Sequence, residues 1–92
     1  MESDAALLEF LQYSLGHLAT KPEETIIRCE HREDGDLVYR VTVSDEDAGR
    51  VIGREGRTIS SLRGVLQAAG EKHGVRAVLK VYSADGEKLD AS

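Results

Sequence analysis

Tryptophan is absent from the 92 residues, phenylalanine occurs once and tyrosine three times. That scarcity of rings weighs against a protein that reads bases on a broad aromatic sheet, where stacking side chains crowd one face. Cys29 is the only cysteine, so neither an intramolecular disulfide nor a thiolate metal cluster can form. A lone thiol in the middle of a strand fits a reducing cytosol. No apolar run is long enough to span a bilayer, and the opening Met1-Glu2-Ser3-Asp4 is acidic where a secretory signal would be basic. A soluble, cytoplasmic protein with no membrane association is expected.

The length gives one domain with a modest core and little room for an enclosed active site. A formal net charge of −5 argues at first against a polyanionic partner. Its distribution says otherwise. Residues 1–44 carry a balance of −5, residues 81–92 a balance of −2, and residues 45–80 a balance of +2. Seven of the cations gather there: Arg50, Arg54, Arg57, Arg63, Lys72, Arg76 and Lys80. A local patch of this kind can hold phosphate on an acidic protein, with modest affinity and little long-range steering.

The hydrophobic pattern changes period along the chain. Leu8, Leu11, Leu15 and Leu18, with Leu7 beside them, predict an amphipathic helix over 4–18, with Asp4 as N-cap and Thr20-Lys21-Pro22 as its stop. A period of two follows through Ile27, Cys29 and His31, then through Leu37, Tyr39, Val41 and Val43. Asp34-Gly35 lies between them, which predicts a hairpin over 25–43. Ser44 then caps a short helix whose first turn is Asp45-Glu46-Asp47. Ala48, Val51 and Ile52 give this helix an apolar face. Gly53-Arg54-Glu55-Gly56 interrupts it, and Ile59, Leu62, Leu66 and Ala69 carry a second helix to His73-Gly74, closing the helix–loop–helix at 45–73. Ala77, Leu79 and Val81 mark a last strand over 76–82. The stretch 84–92 reads as a polar, frayed tail after a domain of residues 1–83. The order helix, strand, strand, helix, helix, strand makes an α+β fold: a three-stranded sheet with helices packed on one face.

The interrupted helix carries the chemistry. Gly53 and Gly56 allow a turn too tight for side chains, and their missing β-carbons leave space for a sugar-phosphate backbone. Amides at the start of the next helix are expected to face phosphate, aided by that helix's dipole. Arg54 and Arg57 add charged contacts, and Arg50 and Arg63 extend the patch. Val51, Ile52 and Ile59 are expected to line an apolar groove for unstacked bases, with Thr58 beside the loop. Glu55 is the discordant residue, since a carboxylate repels phosphate.

The run Val51-Ile52-Gly53-Arg54-Glu55-Gly56-Arg57-Thr58-Ile59 resembles the I-G-x-x-G signature of KH domains, whose loop clamps about four nucleotides of backbone. The element order is similar to the type II arrangement. With the Leu-rich helix, Lys21-Pro22-Glu23, the hairpin and Gly-Arg-x-Gly-Arg-Thr, the chain resembles the small single-domain KH proteins of the KhpA type. The resemblance implies sequence-tolerant binding of single-stranded RNA, a role as RNA chaperone or post-transcriptional regulator, and a second KH protein (KhpB, also called Jag or EloR) as partner. A homodimer is also open. The competing reading is a protein-interaction subunit whose RNA binding is weak or supplied by that partner.

Other sites fit poorly. Gly56-Arg57-Thr58 echoes the end of a phosphate-binding P-loop, but Val51 stands where its first glycine belongs and Arg57 where its lysine belongs. A dinucleotide loop fails at Val51 as well. His17, His31 and His73 fall on three different elements with no metal-ligand spacing around them or Cys29. The pattern therefore asks for no cofactor, no metal and no catalytic residue.

Overall fold

The computed structural model describes residues 2–89. Helix α1 runs Glu2–Leu18. It begins two residues ahead of the expected start, so Asp4 lies within the helix instead of capping it. Leu7, Leu11 and Leu15 are buried on the face it turns to the core. Each contributes on the order of 1.5–3 kcal/mol through burial. Pro22 stands at the start of a single 3-10 turn, Pro22–Glu24, that redirects the chain.

Strands β1 (Ile26–His31) and β2 (Leu37–Val43) pair antiparallel, with Cys29 opposite Tyr39. Asp34-Gly35 lies in the five residues between them, and Gly35 takes φ +94°. Helix α2 (Asp45–Ile52) and helix α3 (Arg57–Lys72) cross over to strand β3 (Ala77–Ser83), which runs parallel to β2. The sheet order is β1-β2-β3. Leu37, Tyr39, Val41 and Val43 of β2 and Ala77, Leu79 and Val81 of β3 meet the helices in one core. The intervening residues Arg40, Thr42, Val78, Lys80 and Tyr82 lie on the opposite, helix-free face. The alternation read from the sequence thus separates the two faces of the sheet.

Two features hold the helices in register. Asp47, fully buried, accepts hydrogen bonds from Thr20 N–H (2.9 Å), Thr20 Oγ1 (2.6 Å), Lys21 N–H (2.9 Å) and Ser44 Oγ (3.1 Å). It ties the turn after α1 to the start of α2. These donors, the Thr20 hydroxyl first, hold its carboxyl at about 2 against an ordinary 3.8. Gly70 lies where α3 meets β3: a β-carbon there would sit 2.9 Å from the Val75 carbonyl oxygen and 3.1 Å from Ala77 Cβ. Past it, Gly74 (φ +73°) ends α3, with Val75 N–H bonded to the Gly70 carbonyl at 2.9 Å.

The expected frayed tail is corrected for residues 84–89; residues 90–92 lie outside the described residues. The chain turns back at Asp85-Gly86, Ser83 N–H donates to the Glu87 carbonyl at 2.8 Å, and Leu89 N–H to the Val81 carbonyl at 2.9 Å. Ser83 Oγ donates to Asp85 to fix the turn. These bonds cover the outer edge of β3, whose backbone groups would otherwise stay unpaired.

Two outcomes follow. Gly70→Ala should destabilise the fold by about 1–3 kcal/mol, because a backbone carbonyl cannot yield as a side-chain tip can. Chemical denaturation measures it. Asp47 titrates at a lower pH folded than unfolded, so its contribution is complete above pH 3.8 and disappears as the pH falls through about 2. Asp47→Asn should lower Tm at pH 7 by more than about 5 °C and shrink the loss of Tm between pH 4 and pH 2. An unchanged acid limb in the variant would remove Asp47 from this role.

Candidate nucleic-acid interface

The loop joining α2 to α3 contains three unusual backbone positions among four residues. Gly53 ends α2 with φ 79° and ψ 171°, Glu55 takes φ 56° and ψ 26°, and Gly56 takes φ 74° and ψ 15°. Glu55 is the one non-glycine residue with positive φ among the described residues. Left-handed geometry costs an L-residue roughly 1–2 kcal/mol, so the loop holds Glu55 in a strained state. Its carboxylate is 72% exposed and meets Arg57 Nη2 at 3.5 Å. Arg54 is exposed too, as is Arg50 one turn back on α2. Three arginines and one glutamate therefore surround the glycine loop.

The two glycines play different parts. A β-carbon on Gly53 would lie 2.7 Å from Thr58 Cβ and 2.9 Å from Thr58 N, and closer still to Thr58 Oγ1. The position a β-carbon on Gly53 would take is thus filled by Thr58, which lies beside the loop as expected. Around Gly56 the nearest atom to such a carbon is Ile59 Cγ2 at 4.0 Å. The open approach to the loop is on the Gly56 side.

Three further expectations change. Val51 and Ile59, expected to line a groove, are buried in the core at 0% and 3% exposure. A base cannot reach them without breaking packing, and Ile52, half-buried, is the apolar residue of the three left beside the loop. Arg63 lies nearly two turns along α3 from Arg57 and donates through Nη2 to the Leu79 carbonyl at 3.3 Å, so it fastens the β3 edge instead of extending the patch. Some loop amides are also engaged internally: Gly56 N–H bonds the Gly53 carbonyl at 3.1 Å, and Arg57 N–H bonds the Arg54 carbonyl. The surface that the structure does bring together comprises Arg50, Ile52, Arg54, Glu55, Gly56 and Arg57.

The chain thus sets a helix–Gly-x-x-Gly–helix against one face of a three-stranded sheet. The family described as KhpA/KhpB, KH domain, matches residues 8–81. The chain belongs to that family. It is 36% identical over 73 residues to an RNA-binding protein KhpA of Chlamydia trachomatis, covering 79% of this chain and 92% of the relative. It is 43% identical over 60 residues to an RNA-binding protein KhpA of Thermotoga maritima, covering 65% and 79% of the two chains. A Listeria monocytogenes protein of the same name is 38% identical over 64 residues, covering 70% and 83%. The KH domain thus extends from α1 through most of β3. Among the described residues no group of three or more His, Cys, Asp or Glu is placed to hold a metal, and no helix is long and apolar enough to cross a membrane.

The glycines can be told apart by stability. Gly53→Ala meets Thr58 and takes an unfavourable φ, and should cost about 2–3 kcal/mol. Gly56→Ala meets open space and should cost about 1–2 kcal/mol from backbone strain alone. Glu55→Gly relieves strain but adds unfolded-state entropy, and should stabilise by about 0.5 kcal/mol. Urea unfolding of the three variants checks the order.

Proposed function

We propose that this KH domain binds single-stranded RNA, with little sequence preference, through the loop at residues 53–56. The observation that carries the reading is the grouping of exposed Arg50, Arg54 and Arg57 around a glycine loop open on its Gly56 side. It agrees with the name RNA-binding protein given to the relatives from Chlamydia and Thermotoga. Gly56 carries no side chain and has open space beside it, so a phosphodiester can approach closely while the arginines neutralise it. Ile52 offers a small apolar contact to a base. Val51, Thr58, Ile59 and Arg63 act behind this surface, setting the loop's shape and the α3–β3 junction.

The chemistry is that of a non-catalytic RNA chaperone or post-transcriptional regulator in the cytoplasm. It suits cooperation with a second KH protein of the KhpB (Jag, EloR) type, or with a second copy of the chain. One observation supports the competing reading, a protein-interaction subunit that borrows RNA binding from its partner. Glu55 pairs with Arg57 at the loop itself and lowers the charge available to phosphate.

Anisotropy titration with a labelled single-stranded RNA separates the two. The affinity should fall with salt at a logarithmic slope of about −2, near −0.7 for each of three phosphate contacts. Arg54→Glu should weaken binding by about tenfold and reduce the slope by about 0.7 with the unfolding curve unchanged. Glu55→Gln should tighten binding. Affinity that is flat across the salt series, or absent in the parent, would overturn the RNA reading in favour of the partner-dependent one.

A further inference from the structure

The helix-free face of the sheet has a charge pattern that neither the fold nor the loop uses. Register places Arg28 directly opposite Arg40, and Arg40 directly opposite Lys80, so three cations form one row across all three strands. Like charges directly opposite one another destabilise a sheet. The next row carries Thr42 and Tyr82, and Lys88 pairs with Tyr82 from the returning tail. Arg40 Nη1 donates to Tyr82 Oη at 2.6 Å, and its guanidinium lies 5.8 Å from the ring centroid.

The acids on this face gather toward the hairpin end. Glu30 accepts from Arg40 Nε at 3.0 Å and lies 3.8 Å from Arg32, and Asp36 lies 3.5 Å from Arg76. A groove of about 300 Å³ runs there over Val38 and Val78, between Arg32, Arg76 and Lys80 and the carboxylates of Asp34 and Asp36. Arg28 and Lys80 make no ion pair among the described residues. A row of cations with one half-buried tyrosine beside it, on a chain of net charge −5, is complementary to a polyanion with stackable bases.

We infer that this face is a second contact surface for RNA, with Arg28, Arg40 and Lys80 meeting phosphates and Tyr82 offering its ring to a base. The inference rests on RNA as the ligand. It adds that a strand longer than the loop can clamp continues across the opposite side of the sheet. Such a strand is held at two places, and its backbone is drawn around the domain rather than left in solution.

The experiment compares a short single-stranded RNA of about four nucleotides, the length a KH loop clamps, with one of about sixteen, at the upper end of single-strand site sizes. Binding is read by anisotropy for the parent, Arg28→Glu/Lys80→Glu, Tyr82→Leu and Arg54→Glu, with thermal unfolding and sedimentation as controls. The sheet double variant should lose at least about tenfold in affinity for the long RNA, with a salt slope smaller by about 1.4, two phosphate contacts' worth. Its affinity for the short RNA should be unchanged. Tyr82→Leu should weaken long-RNA binding by about fivefold or more, in line with loss of one stacked base. Arg54→Glu should weaken both. Equal long-RNA affinity in parent and sheet double variant overturns the second surface and leaves the loop reading standing. A change in self-association without loss of RNA binding overturns it too, in favour of a contact between two copies of the chain. A parent that binds neither RNA overturns both readings.

Discussion

Asp47 is the constraint on which the placement of the loop depends. Its carboxylate is buried, yet four donors from Thr20, Lys21 and Ser44 surround it, so the charge is stabilised without a cation. A buried carboxylate with this many hydrogen bonds stays ionised where an isolated one would take up a proton. The bonds also fix where α2 begins relative to the end of α1, and α2 is only eight residues long. A helix that short has little stability of its own. Its last turn delivers Gly53, so Asp47 at the start of α2 and Val51 packed in the core at its end together set where the glycine loop lies.

From that anchor the loop is held by exclusion. Thr58 occupies the space that a β-carbon on Gly53 would need, and Val51 and Ile59 reach into the core on either side. The left-handed geometry of Glu55 persists because both of its flanks are fixed in this way, and local strain kept by its surroundings is common where a ligand must be met by a preformed backbone. The pair between Glu55 and Arg57 is exposed and worth little to stability. Its effect is on the charge presented to a ligand. The residues exposed at the loop and those that set its shape therefore interleave along one stretch of nine residues.

That alternation explains what could be read from the sequence. Periods of two and of three to four showed the strands and helices, because burial on one face imposes them. Ser44 and Gly74 stood where caps belong, and Gly-x-x-Gly between two helical patterns marked the loop that joins them. The sequence could not separate Val51 and Ile59, which face the core, from Ile52, which faces outward, because all three are apolar and border the loop. Arg63 looked like Arg57 for the same reason: only the packing of α3 against β3 shows that it reaches the Leu79 carbonyl. Asp47 resembled its neighbours Asp45 and Glu46, and its partners Thr20 and Lys21 lie 27 and 26 residues away. Gly70 carried no signal of its close approach to Val75. In each case the missing information was a contact between segments distant in sequence. The fold-back of residues 84–89 was masked differently, since a polar Asp-Gly segment reads as a loose end until an open strand edge lies beside it.

The net charge of −5 conceals an uneven distribution of charge over this chain. The acids of the first half lie largely on α1, on the turn after it and at the hairpin, while Arg50, Arg54 and Arg57 stand at the loop and Arg28, Arg40 and Lys80 in the strand row on the far face. Electrostatic binding depends on the local potential a ligand meets, and at ordinary salt charges more than about 8–10 Å away are largely screened. An acidic sum and a basic contact surface are therefore compatible on one small domain. On the proposed RNA reading, each basic surface attracts a strand locally while the surrounding acids oppose its long-range retention. Affinity then depends on how many local contacts a strand can make at once. A domain with weak individual contacts gains discrimination between short and long, or folded and unfolded, strands from that count.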